Sequence, residues 1–145
     1  MTDYRNILEQ AGFPRKVLIL DWEAHFSREY NLRKREMSHV EFVANEQFEV
    51  IGLGYQRLGE DSVARFLRAD AVQGWLDGIA GRLDEYTVVA HNAYFDLLVL
   101  REKYGITPAY TVDTLDLARH MDARDKHSLE HLAKKYGAPE PKGDT

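Results

Sequence analysis

The sequence has no cysteine among its 145 residues. This absence excludes disulfide bonds, thiolate metal sites and cysteine nucleophiles, and it suits the reducing environment of the cytoplasm. No apolar run approaches the roughly 18 to 20 residues that span a bilayer. The N-terminus also lacks the apolar segment of a signal peptide. We therefore expect a cytoplasmic protein without a membrane-spanning segment.

Positive charge is scarce as well. The chain has 24 acidic residues against 19 lysines and arginines, which gives a formal net charge of −5. This balance argues against binding of nucleic acid through overall positive charge, although local basic stretches occur at Arg33–Arg35 and Lys134–Lys135. The 44% hydrophobic content and the absence of repeats are typical of a single globular domain.

The apolar patterns predict an α/β fold with a mixed sheet. Strands are expected over Lys16–Asp21, Phe48–Gln56, Tyr86–Ala90 and Tyr110–Val112. The segment Val63–Leu67 fits a strand and a helical turn equally well. Residues 1–15 form a polar lead-in to the domain that spans 16–145, and the segment 24–46 has no clear periodicity.

Four helices are expected among and after these strands. They follow Asp70, follow Asn92 up to about Tyr104, cover Asp113–Arg119 and follow Ser128. Asp70, Asn92 and Ser128 belong to the residue types that cap helix N-termini. The last helix is expected to pack on the core through one face that carries Leu129, Leu132 and Tyr136.

Acidic residues follow two of the apolar strands. Asp21 and Glu23 come directly after the apolar run 17–20, and Asp96 follows the strand that ends at Ala90. Side chains alternate along a strand, so Asp21 and Glu23 project to the same face. Carboxylates held this close repel one another, and a divalent cation removes that cost. The sequence therefore predicts a metal site. In the alternative interpretation, Asp21 and Glu23 only form a turn and Asp96 is a solvated helix residue.

The type of metal follows from the ligands. Three carboxylates without a cysteine favour Mg²⁺ or Mn²⁺ over zinc. The segment His127–His131 has the spacing of an inverted zinc-protease motif, His-x-x-Glu-His. However, if Ser128 caps the last helix, His127 lies outside that helix and the two histidines cannot share an ion.

Four motifs together resemble the DEDD superfamily of 3′–5′ exonucleases, which have a ribonuclease H-like fold. They are Asp21-x-Glu23, His91-Asn92-x-x-Phe95-Asp96, Val112-Asp113-Thr114-Leu115 and Ser128-Leu129-x-x-Leu132-Ala133-x-x-Tyr136-Gly137. The resemblance runs from about Lys16 to the C-terminus. Residues 37–52 and Lys142-Gly143 are similar to the proofreading domain of phage-type family A DNA polymerases.

This resemblance implies a five-stranded mixed sheet and two-metal hydrolysis at the 3′ end of single-stranded DNA. Asp21 would bridge two Mg²⁺ or Mn²⁺ ions, Glu23 would bind one and orient the 3′ hydroxyl, and Asp96 would hold the other. A polymerase domain is the implied partner, and the cytoplasm of a bacterial host is the implied location for a phage protein.

Five further residues are expected to contact the substrate: Trp22, Ala24, His91, Asn92 and Tyr94. Trp22 and Tyr94 are candidates for stacking on unpaired bases. Ala24 stands where the family often has threonine, so only its backbone amide would hold the terminal nucleotide. His91 is expected to be an interior hydrogen-bonding residue at the strand end.

The resemblance also implies a fourth carboxylate, in a His-x4-Asp or Tyr-x3-Asp motif on a helix after the Ser128 helix. No such motif precedes Thr145, so the site as written is expected to be incomplete. His120 and Asp125 have the spacing but precede Ser128. Two alternatives remain: a stand-alone exoribonuclease of the same superfamily, and a non-catalytic module that binds nucleic acid or protein.

Overall fold

The computed structural model describes residues 4–25, 38–44, 48–60, 62–121 and 128–136. Arg33–Arg35, Asp125, His127 and Gly137, the last residue of the motif that begins at Ser128, lie outside these ranges. Within them no helix has both the length and the apolar character needed to cross a membrane.

The described residues form a five-stranded mixed sheet with helices, as predicted. The strands are β1 (Lys16–Ala24), β2 (Val50–Leu58), β3 (Arg65–Arg68), β4 (Tyr86–Ala90) and β5 (Thr111–Asp113). Their order across the sheet is β3-β2-β1-β4-β5. The pairs β1–β2 and β2–β3 are antiparallel, and β1–β4 and β4–β5 are parallel.

The helices are α1 (Tyr4–Gln10), α2 (His39–Ala44), α3 (Ala69–Ile79), α4 (Ala93–Tyr104), α5 (Thr114–Met121) and α6 (Leu129–Lys135), and a 3₁₀ helix covers Ala80–Glu85. Helix α3 packs on β2 and β3, whereas α4 packs on β1, β4 and β5. The largest fully buried side chains between these layers are Tyr86, Leu18, Leu53, Leu76 and Leu100. The core therefore lies between the sheet and these helices.

Strand β1 is longer than predicted. It continues from Asp21 to Ala24 because β2 supplies pairing partners there, with Asp21 opposite Gly54 and Glu23 opposite Gly52. Its pairing with β4 ends earlier, at Ile19. The acidic pair thus lies inside a strand that extends past its parallel neighbour.

Helix α2 was not predicted. Its N-terminus resembles a capping box, because the Ser38 hydroxyl accepts a hydrogen bond from the Glu41 amide at 3.1 Å. The helix buries Phe42 and Val43. A helix of six residues is too short to show the repeating apolar pattern that identifies longer helices.

Two of the predicted caps need correction. The N-cap of α3 is Arg68 without a side-chain bond, and Asp70 lies in the first turn. Asn92 occupies the N-cap position of α4, but its side chain makes no capping bond. Ser128 does cap α6, since its hydroxyl accepts the His131 amide at 3.2 Å.

The predicted packing of α6 is partly wrong. Tyr136 follows the helix and is 58% exposed, so it does not anchor the helix in the core. Leu132 is half-buried, and Lys134 and Lys135 are exposed as expected.

Candidate active site

Asp96 is the buried acidic residue of the structure. It lies in the first turn of α4 and is 4% exposed. Its Oδ1 accepts a hydrogen bond from the backbone amide of Trp22 in β1, at 3.1 Å. This bond joins the start of α4 to the part of β1 that carries the acidic pair.

The pKa of Asp96 is raised from 3.8 to about 7. Burial is the largest cause, because it penalises the charged form. The negative charges of Asp21 and Asp113 raise the pKa further, while the hydrogen bond from Trp22 lowers it. Asp96 therefore lies within electrostatic reach of Asp21, as a shared metal site requires.

Asp21 and Glu23 lie on the same side of β1. Asp21 is exposed and Glu23 is half-buried, whereas Trp22 between them is buried. Glu23 faces Gly52 across the strand pair, and a Cβ atom at Gly52 would come within 2.3 Å of the Phe66 ring. Glycine at this position allows β3 to approach β2 closely beside the acidic pair.

The side chains of the acidic residues do not converge into a complete metal site. In the described ranges, no group of three or more histidine, aspartate or glutamate side chains is arranged to hold a metal ion. Asp21 and Asp96 supply the hard oxygen donors that Mg²⁺ and Mn²⁺ prefer. Binding of an ion by all three predicted residues thus requires a rearrangement of these side chains.

Asp113, at the end of β5, links the turn before α4 to the start of α5. Its Oδ1 accepts two backbone hydrogen bonds at 2.9 Å, one from Asn92 and one from Leu115. Asp113 belongs to the motif Val112-Asp113-Thr114-Leu115, for which no role was predicted. Its position between a strand and a helix, beside the Asn92 turn, is the signal that could have indicated one.

His91 makes a hydrogen bond at the end of β4, as expected, but it is half-buried and not in the interior. Its Nδ1 lies 2.9 Å from the Thr114 hydroxyl oxygen. That hydroxyl is also 3.4 Å from the carbonyl oxygen of Ala90. His91 therefore joins the end of β4 to the start of α5.

The burial of Trp22 contradicts the expected base stacking. Trp22 is 5% exposed, and its ring stacks on Tyr104 with centroids 5.3 Å apart. Because β1 continues past Asp21, strand alternation turns Trp22 into the core while its acidic neighbours face outward. Its side chain is a core residue in this structure.

Tyr94 differs, because it is 57% exposed. It lines a groove of about 390 Å³ together with Leu97, Leu98, Arg101, Thr107, Pro108 and Thr111. Ala24, the remaining predicted contact, is half-buried at the irregularity where β1 passes from Gly52 to Val50. Base stacking by the Tyr94 ring stays a prediction.

The described residues support neither of the two other histidine motifs, the one that begins at His120 and the one that ends at His131. His120 is exposed, and its Nδ1 lies 2.8 Å from the carbonyl oxygen of Asp116 in its own helix. The observed cap at Ser128 agrees with the argument against a zinc site at His131.

Solved structures with a similar fold include nucleases. The apo form of a nuclease matches with a TM-score of 0.57 and 19% identity over 88% of this chain. Brucella melitensis NrnC matches with a TM-score of 0.58 and 15% identity over 89%, and the same protein with bound Mg²⁺ with 0.57 and 16% over 88%. At these identities the likeness shows the fold alone.

The chain spans 54 to 57% of the length of these structures. No curated protein matches its sequence. The family model described as 3′–5′ exonuclease matches residues 15–142, which is most of the chain. Together with the ribonuclease H-like sheet, this match shows that the chain belongs to the 3′–5′ exonuclease family.

Proposed function

We propose that this chain is a 3′–5′ exonuclease domain that hydrolyses the terminal phosphodiester of single-stranded DNA and releases nucleoside monophosphates. The observation that carries the proposal is the buried Asp96, which is bonded to the Trp22 amide and lies near the charge of Asp21. Burial of a carboxylate beside a second one raises its pKa, and the cost falls when a cation binds. Membership of the exonuclease family supports the same conclusion.

Asp21, Glu23 and Asp96 are the proposed ligands of two Mg²⁺ or Mn²⁺ ions. Divalent ions held in this way supply a hydroxide nucleophile and neutralise charge on the phosphate. The Mg²⁺-bound state of a protein with the same fold supports a divalent cation here. Asp96 is held at a fixed distance from β1 by the Trp22 amide, while Asp21 is exposed enough to adjust to an ion and a substrate.

The substrate contacts are proposed to lie beside the three carboxylates, at the start of α4 and at the end of β1. The exposed ring of Tyr94 would stack on a base of the unpaired strand. The backbone at Ala24 would hold the terminal nucleotide, and His91 and Asn92 would shape the turn beside it. The side chain of Trp22 contributes by supporting β1 from the core.

A polymerase partner and proofreading are proposed from the family itself, whose name refers to the exonuclease of family A DNA polymerases. The second candidate is a stand-alone exoribonuclease, because the fold also matches solved nucleases whose names mention no polymerase. These candidates differ in the sugar that the site accepts, so a direct comparison of DNA with RNA separates them.

The test uses 5′-labelled single-stranded DNA and RNA oligomers of the same sequence, incubated with excess protein in Mg²⁺, Mn²⁺ or EDTA. Excess protein gives single-turnover conditions, in which one round of cleavage is detected whatever the rate of product release. We expect a ladder shortened from the 3′ end, faster for DNA, and absent in EDTA. Faster cleavage of RNA would favour the stand-alone exoribonuclease.

Two variants make this test specific to the site. Asp21→Ala should abolish cleavage, because it removes the proposed bridging ligand. Asp116→Ala is the matched control, since Asp116 is an exposed aspartate on α5 whose side chain is 64% accessible. Equal rates for Asp21→Ala and the unmodified chain would refute the proposed site, and metal-independent binding without cleavage would indicate a non-catalytic module.

A further inference from the structure

The turn between β4 and α4 contains an uncommon backbone conformation. Asn92 has φ 65° and ψ 58°, and Ser62 is the other non-glycine residue with positive φ in the described ranges. Residues other than glycine rarely adopt this left-handed region, although asparagine tolerates it better than most. Because the Asn92 side chain makes no capping bond, something else must hold the turn in place.

Asp113 supplies that restraint. Its Oδ1 lies 2.9 Å from the backbone nitrogen of Asn92, across the β4–β5 pair, and 2.9 Å from that of Leu115 in α5, the helix that follows β5. Hydrogen bonds to a carboxylate are stronger than those between neutral groups. One oxygen thus fixes the Asn92 turn relative to the start of α5.

The turn at Asn92 also determines where α4 begins. The Asn92 carbonyl accepts the Phe95 amide at 3.2 Å, which closes the first turn of the helix. Asp96 is the next residue, and it reaches the Trp22 amide from that turn. A change in the Asn92 backbone would therefore move Asp96 relative to β1.

We infer that Asp113 is a positioning residue for Asp96, acting through the backbone of Asn92. It fixes the left-handed turn from which α4 starts, and so sets the position of Asp96 against β1 and Asp21. Its contribution to catalysis rests on the proposed function, but its contribution to geometry does not. The two are tested by different measurements.

The geometric test is the amide resonance of Trp22 in a ¹⁵N–¹H spectrum without added metal. Asp113→Ala should shift this resonance toward the position of an amide without a hydrogen bond, because Asp96 moves away. Asp113→Asn keeps an oxygen at Oδ1 and should leave the resonance near its original position. An unchanged Trp22 resonance in folded Asp113→Ala would overturn the inference.

The functional test is Mn²⁺ binding, measured by titration at a temperature where every variant is folded. Loss of a residue that orients a metal ligand typically weakens binding by about 10- to 100-fold, and we expect this for Asp113→Ala, with Asp113→Asn close to the unmodified chain. Equal losses in both variants with an unchanged Trp22 resonance would show that Asp113 acts through its charge, against the inference. If the unmodified chain binds no Mn²⁺, the proposed function fails while the Trp22 measurement still decides the positioning role.

A second substitution tests whether the effect passes through Asn92. Glycine adopts the left-handed conformation without strain, so Asn92→Gly should reduce the effect of Asp113→Ala on the Trp22 resonance and on Mn²⁺ affinity. Ser128→Ala is the control for stability, because it removes a helix cap in α6 and should leave both readouts unchanged. If Asp113→Ala has the same effect with asparagine and with glycine at position 92, Asp113 does not act through the Asn92 backbone.

Discussion

Burial makes the charge of Asp96 unfavourable in the metal-free protein. Its pKa is about 7 in the folded structure, above the ordinary value of 3.8. The stability that depends on the protonated form is fully present below about pH 4, where Asp96 is protonated in both the folded and the unfolded chain. It is lost as the pH rises from about 4 through about 7, because the unfolded chain ionises first. A cation that binds the ionised Asp96 would offset the cost of the buried charge and restore this stability.

Asp96→Asn should therefore stabilise the metal-free protein at high pH. Asparagine keeps the acceptor for the Trp22 amide but carries no charge, and each pKa unit corresponds to about 1.4 kcal/mol, so the gain should be on the order of 2 to 4 kcal/mol at about pH 8. Urea unfolding in EDTA measures the difference, which should shrink toward zero at about pH 4. A gain that does not change with pH would contradict the raised pKa, and Asp116→Asn is the exposed control.

Trp22 and Tyr94 are two aromatic residues with opposite environments. Trp22 is buried against Tyr104, so Trp22→Ala should destabilise the fold by about 3 to 5 kcal/mol. Tyr94→Ala should change the stability by less than about 0.5 kcal/mol, yet weaken binding of a single-stranded oligomer by about 1 to 3 kcal/mol. Thermal unfolding and fluorescence titration measure the two effects, and a large stability loss for Tyr94→Ala would place that ring in the core.

At the level of elements, the glycine at the end of α4 illustrates how backbone conformation decides the effect of a substitution. Gly105 has φ 68°, whereas Gly74 lies inside α3; a Cβ atom added at either position meets nothing within 4 Å. Gly105→Ala should thus cost about 1 to 2 kcal/mol from backbone strain, and Gly74→Ala should stabilise by about 0.5 to 1 kcal/mol from helix propensity. Chemical denaturation checks both signs, and equal effects would show that strain at Gly105 is unimportant.

Elements with local signals in their own sequence could be predicted, and elements that depend on pairing with another segment could not. β4 and α4 match their predicted ranges because their apolar patterns and the glycine after α4 are local signals. β3 remained open between strand and helix because its four residues are largely exposed, and only pairing with β2 makes them a strand. Pairing with another strand does not by itself produce an apolar pattern in either segment, so the sequence does not show it.

The candidate site was predictable to a similar degree. The proximity of Asp21 and Asp96 follows from strand order, since residues at the ends of β1 and β4 share one edge of the sheet. The inward orientation of Trp22 follows from the same strand alternation that places Asp21 and Glu23 on one face, so the expected base stacking was in conflict with that alternation. The contact of Asp113 with Asn92 was not predictable, because it joins the ends of two neighbouring strands that are distant in sequence.

At the scale of the whole molecule, the sheet divides β1 into a doubly paired half and a singly paired half. Leu18 is paired with both Arg57 and Val88, so its amide should exchange with solvent only when the whole domain unfolds. Trp22 lies beyond the end of β4, and its amide is bonded to the Asp96 side chain instead. Movement of the α4 N-terminus alone is therefore sufficient to expose it.

Hydrogen exchange of these two amides tests how far the candidate site opens independently of the core. We expect Trp22 to exchange faster than Leu18 in EDTA, because local opening requires less free energy than global unfolding. Mn²⁺ should slow exchange at Trp22 more than at Leu18, since an ion bound by Asp21 and Asp96 holds α4 against β1. Equal protection of both amides without metal would mean that the site opens only with the core, and an unchanged Trp22 rate in saturating Mn²⁺ would place the ion elsewhere.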